Sequence, residues 1–116
     1  MTGTLFQRHT KEKVDHFLAQ KLWTSETLFG LLKKVALTTP NNIFAIESSG
    51  LSYTFRDLML TSKYFSNSLL ELGFKKGDVL AVQLPSCIEF LIAYFGAARI
   101  GCILSPMHMT YEAREL

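Results

Sequence analysis

The sequence predicts an α/β fold: a β-hairpin followed by a parallel βαβ unit, with flanking helices. Three observations carry that prediction. Gly77 to Met107, GDVLAVQLPSCIEFLIAYFGAARIGCILSPM, holds a strand, a turn, a helix and a second strand with almost no polar interruption. Ser48-Ser49-Gly50 separates two short β-prone runs. Thr54-x-x-Asp57 and Ser86-x-x-Glu89 each have the form of a capping box ahead of an apolar helix.

Taken in chain order, residues 11–22 place Val14, Phe17, Leu18 and Leu22 on one helical stripe, with charges opposite. Residues 1–22 are read as a leader helix lying on the surface of the main domain, residues 23–116. A second helix is expected from about Thr27 to Thr38, with Leu28, Leu31, Leu32 and Val35 on its buried face. Pro40 stops it, because the residue before a proline avoids helical geometry. Ile43 to Glu47 and Leu51 to Thr54 form the hairpin, with Gly50 supplying a positive φ. The helix started at Thr54 turns Leu58, Phe65, Leu69 and Leu72 to a core, and Gly73-Phe74 ends it in a Schellman motif.

Lys75-Lys76-Gly77-Asp78 turns into the strand Val79 to Leu84, which Pro85 ends. Ser86 and Glu89 cap a helix from Cys87 to about Ile100. Ile88, Leu91, Ile92, Phe95 and Ala98 cover most of its circumference, so it is expected to be buried on more than one side. Gly101 closes that helix, and Cys102 to Ser105 is the next strand, ended by Pro106. Strand, helix, strand in this order predicts a right-handed crossover between parallel strands. A further helix is expected from Thr110, with Glu112 and Glu115 exposed.

Composition bounds the function. The chain has 116 residues, 48% hydrophobic and 19% charged, with a net charge of +2. That is one modest core, with more apolar surface than a small domain can hide. The unit at 77–107 needs protein on both faces, which suggests that the chain is a piece of something larger. Basic residues are scattered, with no face of interleaved aromatics, which argues against nucleic acid as a partner. Cys87 and Cys102 are read as two buried, reduced thiols acting as small hydrophobes. Residues 87–104 are borderline in length for a membrane span, but Glu89, Arg99 and Gly101 favour a buried helix and strand. The N-terminus lacks the apolar stretch of a signal peptide, so the chain reads as cytoplasmic.

Chemistry is sparse. Lys76-Gly77-Asp78 is a turn rather than a phosphate-wrapping loop, and two distant cysteines cannot make a four-ligand zinc site. His9, His16 and His108 have no sequence partner that would make a dyad. Gly50-Leu51-Ser52-Tyr53 is not a nucleophile elbow, and Glu112 with Glu115 fits a solvated face. No catalytic, cofactor-binding or metal-binding residue is assigned.

Four motifs in order carry a resemblance. They are Tyr53-Thr54-Phe55-Arg56-Asp57-Leu58, Leu72-Gly73-Phe74-Lys75-Lys76-Gly77-Asp78, Leu84-Pro85-Ser86-Cys87-Ile88-Glu89-Phe90, and Arg99-Ile100-Gly101-Cys102-Ile103-Leu104-Ser105-Pro106. Together, from Trp23 to Leu116, they resemble the N-terminal part of the large domain of the adenylate-forming (AMP-dependent synthetase and ligase) superfamily. Leu22-Trp23, Val82-Gln83-Leu84-Pro85 and the closing Tyr111 to Leu116 look most like ligases joining short- or medium-chain fatty acids or cyclohexanecarboxylate to CoA. Ser86 stands where asparagine is common, and His108 where asparagine, aspartate or leucine is more usual.

The resemblance implies a two-step reaction in the full-length enzyme. A carboxylate receives AMP from Mg-ATP, and the CoA thiolate then displaces AMP. ATP, magnesium and CoA are therefore implied for the whole enzyme, and none is expected to be bound by this segment, which lacks the phosphate loop, the acidic metal ligand and the mobile lysine. The remainder of the ligase domain is the implied partner, the substrate of the whole protein a small carboxylic acid, and the isolated chain is expected to be inactive. Two other readings remain open: a piece of an aryl-acid or peptide-synthetase adenylating enzyme, and a non-catalytic interaction module with this fold.

Overall fold

The chain's structure is a computed structural model that describes residues 10–21, 26–110 and 112–114. Its first helix, α1, runs Lys11–Ala19 and is capped by Thr10, whose hydroxyl accepts from the Lys13 N–H at 3.2 Å. Val14 is buried and Phe17 half-buried, but Leu18 is exposed. Leu22 lies outside the described residues.

Helix α2, Leu28–Thr38, starts at Thr27, whose hydroxyl accepts from the Gly30 N–H at 3.0 Å. Its buried face differs from the expected one. Leu32 and Ala36 are buried and Phe29 packs on the core, whereas Leu28, Leu31 and Val35 are exposed. At 3.6 residues per turn those two rows lie roughly a quarter-turn apart. Hydrophobicity alone marked both rows; the neighbouring helices cover only one.

Strands β1 (Ile43–Ile46) and β2 (Ser52–Thr54) form the predicted antiparallel hairpin. Gly50, at φ 93°, donates its N–H to the Glu47 carbonyl at 2.9 Å and closes the loop. The chain passes directly into α3, Phe55–Glu71. Its capping box is complete: the Asp57 N–H donates to Thr54 Oγ1 at 3.1 Å, and the Thr54 N–H donates to Asp57 Oδ2 at 3.0 Å. The Schellman end is also formed, with Phe74 N–H to the Leu69 carbonyl and Gly73 N–H to the Leu70 carbonyl, both at 3.0 Å. Leu58 and Leu69 are buried, but Leu72 is 76% exposed. It is the C-cap, where the chain leaves the helix, so it no longer shares the buried stripe.

The βαβ unit comprises β3 (Val79–Val82), α4 (Ile88–Ile100) and β4 (Ile103–Pro106). The strands are parallel, with Val79 opposite Ile103 and Val82 opposite Pro106. Strand β3 stops short of Leu84. The second capping box is absent: Cys87 is the N-cap, without a side-chain cap bond, and Ser86 is exposed before it. The helix begins one residue later than the motif requires, so Glu89 cannot reach back to Ser86. It still lies in the first turn, where a negative charge offsets the helix dipole. Thr110 and residues 112–114 form turns or irregular chain rather than the expected helix. Glu115 is outside the described residues.

Alternation along the strands makes the two faces of the β3–β4 sheet unequal. Leu80 and Leu104 are half-buried and Val82 buried, while Val79 and Ile103, paired in register on the other face, are 57% and 53% exposed. Parallel sheets are almost always covered on both faces.

The core forms where α2, α3, α4 and the hairpin meet. Leu32, Leu58 and Ile88 are its buried centre, with aromatic rings around it. Phe44 meets Phe55 edge-on at 5.1 Å and Phe95 at 6.5 Å, which joins β1 to both long helices. Helices α3 and α4 approach closely through small residues. Ser62 and Ser66 are fully buried on α3; Ala93, Gly96 and Ala97 are buried on α4.

The Ser62 hydroxyl is buried without a hydrogen-bond partner. Burying an unpaired hydroxyl is unfavourable, so Ser62→Ala is expected to raise the unfolding free energy by about 1 kcal/mol. A urea titration comparing midpoints tests this, and a lower midpoint for the alanine variant would contradict it.

Candidate functional site

The positions singled out in the sequence mostly have local structural work. Arg99, in the last turn of α4, donates from one guanidinium nitrogen to Ser66 Oγ at 2.7 Å and Asn67 Oδ1 at 3.0 Å. Its guanidinium carbon also lies 5.7 Å from the centre of the Phe29 ring. This arginine therefore ties α4 to α3 and α2, a planar and stacked role that lysine fills poorly. Ser66 completes the link by donating to the Lys63 carbonyl at 2.8 Å.

The Lys75 to Asp78 turn is likewise self-contained. Asp78 Oδ2 accepts from the Lys75 N–H at 2.9 Å, and Gly77, at φ 91°, donates to the Gly101 carbonyl at 2.9 Å. The Asp78 carbonyl accepts from Ile103 N–H at 2.8 Å, so the turn sets the start of the β3–β4 pairing. Cys102 is buried behind it, with Sγ 3.4 Å from the Lys75 carbonyl. Burial and, secondarily, Asp78 push its thiol up from the ordinary cysteine value.

Cys87 is only half-buried, contrary to the expectation for both cysteines, because it is the exposed-end cap of α4 rather than part of its packed interior. Both thiols are free. His16 meets Phe17 edge-on at 5.6 Å, and the His108 carbonyl accepts from Gln83 Nε2 at 2.7 Å, joining the ends of β3 and β4. His9 lies outside the described residues. Among the described residues no group of three or more His, Cys, Asp or Glu side chains could hold a metal ion. Nor is any helix among them long and apolar enough to cross a membrane.

One concavity is large. A cleft of about 800 Å³ lies between the end of the hairpin, Ala45 to Ser49, and the start of α4, Ser86 to Leu91. Two carboxylates line it, Glu47 from the hairpin and Glu89 from the first turn of α4. Tyr53, on β2 opposite Ala45, senses both. Its phenol is raised above the ordinary tyrosine value, first by desolvation, then by the charges of Glu47 and Glu89 and a hydrogen bond to Glu47. Sequence spacing does not reveal this convergence: Glu47 and Glu89 are 42 positions apart, and Glu89 reads as a helix cap. Only a hairpin folded against a helix start brings them together.

The AMP-binding enzyme family matches residues 32–116. The medium-chain fatty-acid–CoA ligase of Escherichia coli (strain K12) is 30% identical over 97 residues, covering 84% of this chain and 17% of that protein. Among solved structures, the inhibitor-bound N-terminal domain of FACL13 from Mycobacterium tuberculosis aligns with a TM-score of 0.73 and 25% identity, over 78% of this chain and 23% of that one. A complex of VinN with L-aspartate aligns with a TM-score of 0.71 and 26% identity, over 75% and 22% of the two chains. This chain thus spans about a fifth or less of the length of the curated relatives it matches.

Proposed function

This chain belongs to the AMP-binding enzyme family, and from that membership we infer that it is the N-terminal portion of an ATP-dependent acid–CoA ligase. The carrying observation is the match over residues 32–116 together with a fatty-acid–CoA ligase similar over 84% of the chain. The uncovered face of the β3–β4 sheet supports the same reading, since Val79 and Ile103 suit burial under further protein rather than water. In this reading residues 1–22 lead into the ligase portion, 23–116.

The whole enzyme would activate a carboxylate by transferring AMP from Mg-ATP, because a delocalised carboxylate resists attack by a thiol. It would then exchange AMP for CoA. Catalysis of that kind rests on positioning and on neutralising charge at the phosphoryl group. In this reading the part of the described residues is scaffolding, through the capped helices and the Arg99 link. The 116-residue chain alone is accordingly assigned no catalytic residue.

A second reading has one observation in its favour. VinN, similar in fold and 26% identical, is seen with L-aspartate, so a protein that takes up an amino acid shares this scaffold too. The first test is the nucleotide sequence downstream of the Leu116 codon. A continuing frame that encodes a Ser/Thr/Gly-rich loop ending in Pro-Lys-Gly is expected. The protein from that frame should release pyrophosphate with a fatty acid and ATP and form a CoA thioester. Pyrophosphate release with aspartate alone would select the second reading. Stoichiometric ATP binding by the 116-residue chain by itself would overturn both.

A further inference from the structure

We draw no further inference here: the strongest candidate, the exposed apolar face of the β3–β4 sheet around Val79 and Ile103, carries nothing beyond the ligase reading already given, because nothing in the structure shows what covers it.

Discussion

Leu58→Ala is expected to lower the unfolding free energy by about 2–5 kcal/mol, the range for emptying a well-packed leucine site. Leu58 is 1% exposed and sits with Leu32 and Ile88 at the centre of the core, enclosed by side chains from the hairpin and three helices. The surrounding rings of Phe44, Phe55 and Phe95 are held edge-to-face and have little freedom to collapse into the space. Against a total of about 5–15 kcal/mol for an ordinary domain, that loss approaches complete unfolding. Equilibrium denaturation followed by circular dichroism measures it, and a loss below about 1 kcal/mol would mean that the core is not centred on Leu58. Leu58→Met, which conserves volume, should retain most of the stability.

Gly96→Val is expected to cost about 3 kcal/mol, by forcing apart the two long helices. A Cβ built on Gly96 would lie 2.6 Å from Phe65 Cδ1 and 3.1 Å from the backbone carbonyl oxygen of Ser62. The ring can rotate, but the carbonyl belongs to the α3 backbone and can yield only by moving the helix. Replacing a helical glycine by alanine normally gains up to about 1 kcal/mol of helix propensity. Gly96→Ala therefore separates the two effects: strain outweighs propensity if stability falls. The comparison also tests Arg99, because helices pushed apart at Gly96 would stretch its bonds to Ser66 and Asn67. A stable, wild-type-like Gly96→Val chain would show that α3 and α4 do not pack as described.

Much of the fold was legible because local signals agreed with one another. Thr54 and Asp57 made their capping box, Gly73 and Phe74 their Schellman end, and Gly50 its hairpin loop, each from contacts within a few residues. The signals that failed were those that fixed a boundary or a face. Ser86 and Glu89 match a capping box as closely as Thr54 and Asp57 do, yet the helix starts at Ile88 and the pair never meets. Leu28, Leu31 and Val35 mark a helical stripe as clearly as Leu32 and Ala36, but α3 and α4 cover only the second.

The sequence by itself determined the element order, the family, and most of the turns and helix ends. Those depend on short-range hydrogen bonds and on φ values that only particular residues adopt readily. Tertiary structure alone decided which helix faces are buried, how closely α3 and α4 approach at Gly96, and that Glu47 and Glu89 line one cleft. These features are set by distances between residues far apart in the chain. Hydrophobic periodicity says that a face can be buried, but only the neighbour that packs against it determines whether it is.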